Sequence, residues 1–423
     1  MKMHQIKQEP PKVLCLSVQI PEQSDIETSN SLIELAELLK TLGARKIGEI
    51  IQKRQSPSRA HYLGKGKIEE AREMAEELEA EYIAVDDELS ALQLKNLEES
   101  IGLPVKDRTS IILDIFADHA TTREGKLQVE LAKHQYQLPR LLRMWTHLER
   151  QRGGIGLKGP GETQLETDRR ILNKRIKKIN LELEKVARTR EQQSKQRNER
   201  FAPLFSLVGY TNAGKSTLLN SLSDSEVKTN DGLFTTLDPT ARRIELPDGH
   251  WCIITDTVGF IRKLPHGLVE AFKATLESVV QSEVLLLVAD ASDPECREHL
   301  EAVNKVLAQI GAADREKIYI FNKIDKGMSV SPELIKAAYP NSITISAAKG
   351  TNLDTLKEEI EKIMCRKLEV KEITLPVDSP LIGEIMKIGK IFSQKWQQDK
   401  VTIKAELPER LLKLITQTRE KSA

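Results

Sequence analysis

The period of the hydrophobic positions changes along this 423-residue chain, and the changes divide it into four regions. From about residue 12 to 120, short apolar runs at 13–18, 46–51 and 82–85 alternate with helical patterns such as 68–80, which predicts a small parallel α/β domain. From about 121 to 200 the repeat becomes heptad. Leu127, Leu131, His134, Leu138, Leu141, Trp145 and Leu148 form one seam, and Leu172, Ile176, Ile179, Leu183 and Val186 form a second. A Gly-rich stretch separates them, so two helices are expected to fold back on each other, with a bend where Pro139 removes a backbone donor. His134 is read as a partly buried seam residue rather than a ligand. From 201 to about 365, apolar strands at 204–208, 251–255, 284–288, 318–321 and 342–345 alternate with helices, the pattern of a doubly wound sheet. The remainder has room for a strand, a helix at 382–391, a strand near 401–405 and a last helix. The expected fold is therefore α/β, with an N-terminal domain at 1–120, an antiparallel helical hairpin at 121–200, a doubly wound domain at 201–367 and a small α+β domain at 368–423.

Hydrophobic residues at 39% and charged residues at 30% suit a folded chain and argue against disorder throughout. No apolar run approaches the roughly 20 residues a membrane helix needs. Residues 13–20 lack the cleavage site of a signal peptide, and four scattered cysteines suggest neither a disulfide framework nor a zinc motif. A cytoplasmic location is expected, with peripheral membrane association as a further option. The net charge is only +1, yet 133–200 carries +10. Charge is thus segregated onto the hairpin, an arrangement suited to a phosphate backbone.

Gly209, Tyr210, Thr211, Asn212, Ala213, Gly214, Lys215, Ser216 and Thr217 follow an apolar strand and open a helical run, the context of a phosphate-binding loop. Lys215 is expected on the β- and γ-oxygens, and the Ser216 hydroxyl on Mg²⁺. Asp256, Thr257, Val258 and Gly259 end the second apolar strand, which places a carboxylate beside the metal, through water, and the Gly259 N–H at the γ-phosphate. Asn322, Lys323, Ile324 and Asp325 end another strand. The Asp325 carboxylate can accept two hydrogen bonds from guanine, and adenine offers neither, so GTP and GDP are the expected nucleotides. Ser346, Ala347 and Ala348 would set a backbone N–H on the guanine oxygen. Between the first two motifs lie Phe234, Thr235, Thr236, Leu237 and Asp238, from which Thr236 is chosen over Thr235 to complete the magnesium shell.

These ordered motifs resemble the translation-factor class of P-loop GTPases. The stretch Gly153-Gly154-Ile155-Gly156-Leu157-Lys158-Gly159-Pro160-Gly161-Glu162 and the following Thr163-Gln164-Leu165-Glu166-Thr167-Asp168-Arg169-Arg170 resemble the signature of HflX-type GTPases. The likeness extends through 234–240, 256–260 and Leu63-Gly64-Lys65-Gly66-Lys67. It implies that Ser216 and Thr236 ligate magnesium. It also implies a monomer that binds the 50S subunit and the 70S ribosome, with the hairpin tip on 23S ribosomal RNA at the peptidyl-transferase region, and that splits stalled ribosomes into subunits. Hydrolysis would then permit release.

Lys215, Thr236 and Gly259 are the expected catalytic groups. Many GTPases place a water-orienting glutamine after the glycine of this motif, but here the position holds Phe260. Slow intrinsic turnover, accelerated by a partner that orders the switches, is therefore expected, unless Phe260 packs and another side chain fills the role. With Asn212 the loop resembles those of GTPases that recruit K⁺ as a fixed charge at the γ-phosphate, and the other reading is a side chain that stabilises the turn of its own loop. At the tip, 149–163, Arg150, Arg152 and Lys158 stand among five glycines and are expected to meet RNA. A tip this long exceeds the roughly 2–8 residues that join bundle helices. Residues 61–67 lack a complete phosphate-loop pattern and are read as a surface loop that could touch RNA. Two rival functions stay open: a subunit-assembly GTPase, and a signalling GTPase with the hairpin as a protein-docking coil.

Overall fold

In the computed structural model, residues 9–144, 160–196, 203–223, 233–234, 240–263, 273–366 and 368–422 are described. Contacts divide the chain into two units. The first is Met1–Lys185 with Asn230–Asp238 and Arg262–Lys273, and the second is Val186–Thr229, Pro239–Ile261 and Ala274–Ala423.

The first unit opens with β1 (Lys12–Gln19), α1 (Asp25–Thr41), β2 (Arg45–Lys53), α2 (Lys65–Glu77), β3 (Tyr82–Val85), α3 (Ala91–Ile101), β4 (Val105–Asp107) and α4 (Arg108–His119). The strands run parallel in the order β2-β1-β3-β4. Central β1 is buried almost throughout, which is why it reads as a near-continuous apolar run rather than an alternation. Capping boxes at Ser24 with Glu27 and at Ser90 with Gln93 satisfy the first amides of α1 and α3, so each helix starts where the sequence supplies an acceptor. Leu14, Leu16, Ile83, Val85 and Leu97 fill the core between sheet and helices.

At the carboxyl ends of β3 and β4, buried Arg108 pairs with buried Asp86 at 2.7 Å and with Glu34 at 2.5 Å. Lys263 Nζ lies 2.7 Å from carboxylate oxygens of both Asp86 and Asp87. Paired in this way, the charges avoid the several kcal/mol that an isolated buried ion costs. Segment 61–67 differs from the expected surface loop. Tyr62 and Leu63 are each 1% exposed, Val18 donates its N–H to the Tyr62 hydroxyl, and Gly64 caps α2. Apolar Tyr62 and Leu63 pull the segment into the core and leave Lys65 and Gly66 exposed.

The two helices of the hairpin are α5 (Arg123–Met144) and α6 (Pro160–Gln196). Arg123 pairs with Glu182 at 3.2 Å, and Glu130 with Arg175 at 2.6 Å, so partner numbers fall on α6 as they rise on α5. The helices are antiparallel. The second seam is seen as expected: Ile179 is buried, Leu172, Ile176, Leu183 and Val186 are half-buried, and Ile171 and Leu181 outside it are exposed. The first seam is incomplete as an account of α5. Leu131 is buried, but Gln128, Val129, Ala132 and Arg140 are buried too, because α5 also packs on α3 and α4. His134 is half-buried with Nε2 3.5 Å from Glu130. The helix continues through Pro139, while Trp145 and Leu148 lie outside the described residues. The tip ends earlier than expected. Pro160 begins α6, suited to a first turn whose amides have no intrahelical acceptor, so Gly161, Glu162 and Thr163 are helical.

The second unit holds β5 (Leu204–Gly209), α7 (Lys215–Leu222), β6 (Thr240–Glu245), β7 (Trp251–Asp256), α8 (Lys273–Gln281, from Ala274 in this unit), β8 (Val284–Asp290), α9 (Cys296–Gln309), β9 (Glu316–Asn322), α10 (Pro332–Ala338), β10 (Ser342–Thr344) and α11 (Leu353–Cys365). Its sheet has the order β10-β9-β8-β5-β7-β6, with β6 antiparallel to β7 and every other pair parallel. All five expected strands are present, and β6 is an addition.

The chain ends in β11 (Leu368–Pro376), α12 (Leu381–Ile388), β12 (Lys390–Trp396), β13 (Lys400–Pro408) and α13 (Glu409–Ser422), with an antiparallel sheet ordered β11-β13-β12. The helix expected to reach residue 391 stops at Ile388. A side chain at Gly389 would stand 2.4 Å from Leu407 Cδ2 and 2.9 Å from Ile385 O, so the turn out of α12 needs glycine, and Ile391 belongs to a strand.

Candidate active site

Strand β5 ends where its neighbour comes closest. A Cβ at Gly209 would lie 2.2 Å from Val288 O on β8, so only glycine permits this approach. The loop then turns through Asn212 at φ +58° and Gly214 at φ +89°, and Gly214 caps α7. A Cβ at Gly214 would meet Asn322 Nδ2 at 2.4 Å. The result is a curled backbone at a helix N-terminus, where amides and the helix dipole favour an anion. Thr211 donates its N–H to Phe260 O at 2.8 Å, and Phe260 donates to Gly209 O at 3.1 Å, which ties the loop to the end of the β7 motif. Tyr210 stacks on His299 with ring centroids 3.8 Å apart. Ala213 is buried, and Thr217 O accepts from Ser221.

Lys215 is 6% exposed and donates Nζ to Tyr210 O at 2.8 Å and to Gly209 O at 3.2 Å. Burial pulls its pKa down to about 8, Asp256 opposes the shift and Lys323 adds to it. Ser216 Oγ donates to Asp256 Oδ2 at 2.6 Å, so the hydroxyl and carboxylate expected around a metal are already together. Thr257 is fixed by its hydroxyl on Leu207 O, and Val258 is buried. Gly259 packs tightly: a Cβ there would stand 2.9 Å from Thr211 Cα and 3.1 Å from Lys215 Nζ. Phe260 is 2% exposed, and its side chain fills the core.

Asn322 bridges two motifs. Its Nδ2 donates to Ala213 O at 3.0 Å, and its Oδ1 accepts from the Ala347 N–H at 2.9 Å. Lys323, at φ +64°, donates Nζ to Asn212 O at 2.6 Å and pairs with Asp290 at 2.8 Å. Ile324 opens a short 3₁₀ turn, Ile324–Lys326. The Ser346 hydroxyl donates to Asp325 Oδ1 at 2.6 Å and holds that carboxyl below its usual range, which keeps it an acceptor. Ala348 is exposed beside it. The loop 209–217, 256–259, 322–325 and 346–348 thus converge at the carboxyl edge of one sheet. Phe234 lies in the first unit, edge-on to Phe116 at 4.6 Å, with the adjacent Leu233 N–H on Thr41 Oγ1. Thr235, Thr236, Leu237, Asp238, Arg150, Arg152 and Lys158 lie outside the described residues. Sequence reasoning missed Asp290, which pairs with Lys323, and His299, which stacks on Tyr210. The position of Asp290 at the end of β8, matching Asp256 at the end of β7, was the available signal.

Comparison with known proteins fits this geometry. A family model described as GTP-binding GTPase N-terminal matches residues 29–117, one described as GTP-binding GTPase Middle Region matches 119–197, and one described as 50S ribosome-binding GTPase matches 205–323. A GTPase HflX of Caldanaerobacter subterraneus subsp. tengcongensis is 44% identical over 91% of this chain and 89% of its own. The chain belongs to the HflX family of GTPases. The GTPase HflX of Escherichia coli strain K12 is 40% identical over 94% of this chain and 93% of its own. A crystal structure of a GTP-binding protein from Sulfolobus solfataricus in complex with GDP matches at 26% identity, covering 84% of this chain and 99% of that one, with a TM-score of 0.43. As an HflX-family GTPase, the chain binds guanine nucleotide and hydrolyses GTP to GDP and phosphate. Among the described residues, no helix is long and apolar enough to cross a membrane.

Proposed function

We propose that this HflX-family GTPase binds the large ribosomal subunit in its GTP state, places the hairpin tip on ribosomal RNA and separates stalled ribosomes, with hydrolysis permitting release. The observation that carries the reading is the antiparallel hairpin, whose 133–200 segment concentrates +10 of charge in a nearly neutral chain. Its partner is then a polyanion, and the family description of a 50S ribosome-binding GTPase supports the large subunit as that partner. Arg150, Arg152 and Lys158 are the proposed RNA contacts. The four-part division at 1–120, 121–200, 201–367 and 368–423 is the proposed working architecture, acting in the cytoplasm as a monomer on the ribosome.

In the nucleotide site we assign Lys215 to the β- and γ-phosphates, the Gly259 N–H to the γ-phosphate and Asp325 to the guanine edge. The donor set fits Mg²⁺: Ser216 Oγ, an oxygen ligand of the kind this ion takes, lies 2.6 Å from Asp256 Oδ2, which would act on the ion through water. Bound there, the ion would neutralise charge on the phosphates, with Thr236 completing the ligand set. Phe260 is buried and cannot orient water, so intrinsic turnover is slow and a partner must supply order. At Asn212, the side-chain Oδ1 accepts from Lys323 Nζ at 3.5 Å, which supports the loop-stabilising role, and a K⁺ requirement is its alternative. Turnover in K⁺ against Na⁺ separates the two.

GTP turnover with and without purified large subunits tests the main reading, in the wild type and in a variant lacking 153–159, which leaves α6 intact. Strong stimulation that vanishes with the deletion is the expected result. Unstimulated wild type would remove the ribosome as activator and leave the GTPase untouched. Sucrose gradients with added GTP distinguish splitting from subunit assembly, because an assembly factor leaves complete ribosomes whole.

A further inference from the structure

Away from the nucleotide, three strongly coordinating side chains from distant parts of the second unit meet beneath its carboxyl-terminal sheet. His250 stands in the turn between β6 and β7, Cys365 ends α11, and Glu406 lies on β13. One imidazole nitrogen, the Cys365 sulfur and a Glu406 oxygen all lie within 4.8 Å of one another, around a histidine that is 7% exposed. Glu361, one helical turn before Cys365, has its Oε1 2.9 Å from His250 Nδ1 and also accepts the Asp248 N–H at 3.1 Å. With Nδ1–H donated to Glu361, the lone pair of the ring is on Nε2, which faces Glu406 Oε2 at 3.2 Å. Two acceptors at that separation repel unless a positive centre stands between them.

We propose that this centre is a divalent metal ion of the zinc type, held by His250 Nε2, the Cys365 thiolate and Glu406, with Glu361 orienting the imidazole. A proton would satisfy the two acceptors, but it gives no role to the sulfur, which stands 4.0 Å from His250 Nδ1, at the Glu361 edge of the ring. A carboxylate holding the far nitrogen of a ligating histidine is the usual support of such a site. Zinc bond lengths of about 2.0–2.3 Å put tetrahedral ligand atoms roughly 3.2–3.8 Å apart, so closing on the ion draws the Cys365 sulfur from the Nδ1 edge of the ring toward Nε2. The surroundings are negative. Glu361 and Glu406 both face the His250 ring, and Asp248 holds its backbone N–H on Glu361, so a bound cation would meet carboxylates on two sides. The three ligands sit on separate elements, so the ion would pin β13 and α11 to the β6–β7 turn and act as a structural clasp with one open coordination position.

Cobalt(II) is a suitable probe because its thiolate complexes absorb strongly in the near ultraviolet and its oxygen complexes do not. The full chain, stripped with chelator, is titrated with Co²⁺ and then with Zn²⁺. The expected result is a thiolate-to-cobalt band that saturates at one equivalent and is displaced by zinc, with a raised unfolding midpoint in zinc. Cys365→Ser removes the band, and Glu406→Gln weakens binding about ten-fold or more. Retained GTP turnover and circular dichroism in Cys365→Ser show that the fold is intact. No band in the wild type, or a band that survives Cys365→Ser, overturns the proposal and leaves His250 as a plain ion-pair partner. Unchanged affinity in Glu406→Gln overturns the three-ligand site. None of these outcomes bears on the guanine-nucleotide reading.

Discussion

Nucleotide affinity should carry a pH limit set by Lys215. Burial lowers the pKa of this ammonium from 10.5 to about 8. Phosphate binding needs the charged form, so above pH 8 a nucleotide must bring a proton into the site as it binds. Apparent affinity is therefore flat below about pH 8 and falls toward one decade per pH unit above it, about ten-fold by pH 9. Stability of the empty protein moves the other way. The unfolded chain holds the proton up to 10.5 and the native site releases it at about 8. Burial of this group thus costs about 3 kcal/mol below pH 8, and the cost is lifted as pH rises from about 8 to 10.5. A fluorescent GDP analogue titrated from pH 7 to 9 at constant ionic strength, in the wild type and in Lys215→Met, reads the effect. Ionisation of the guanine ring acts on both proteins alike, so the informative quantity is the ratio of their dissociation constants. The wild-type advantage should shrink about ten-fold across the range. A constant ratio would refute the depressed pKa and with it the view that Lys215 is desolvated before nucleotide arrives.

Other substitutions separate the parts of the site and of the hairpin. Asp325→Asn exchanges a carboxylate fixed by Ser346 for a group with a donor, so GDP affinity should fall about 100-fold or more while xanthosine diphosphate gains, measured by competition; an unchanged preference would remove Asp325 from base recognition. Gly259→Ala presses a Cβ on Thr211 Cα, and single-turnover hydrolysis should slow about ten-fold or more with GDP affinity nearly kept, since the atoms displaced belong to the γ-phosphate end. Equal loss in both would show only a damaged loop. Pro139→Ala, at an exposed position inside α5, restores a helical amide and should stabilise the hairpin by roughly 1–3 kcal/mol in thermal unfolding, and a lowered midpoint would show that the ring is needed where it stands.

What could be read from the chain before its structure depended on how many physical constraints met at one position. Gly209, Gly214 and Gly259 were legible because each lies where a Cβ would strike neighbouring atoms, and such positions leave a fixed spacing in the sequence. Strands β5, β7 and β9 were legible because their apolar runs end at motif residues, and β8 because it is buried nearly throughout and reads as a continuous apolar run. Strand β6 was not. Its residues TARRIE expose most of their side chains at the sheet edge, so no hydrophobic pattern marks them. The heptads of α5 disclosed one face of a helix that has two, because Gln128 and Arg140 are buried polar residues that a search for apolar repeats passes over. Arg140 is held by Asp107 at 2.7 Å, a partner 33 positions away. The same limit hid the His250 cluster, whose members are separated by 115 and 41 positions and share no spacing rule. Local chemistry at strand ends can therefore be read from order along the chain. Charges and ligands paired across elements become visible only once the elements are placed.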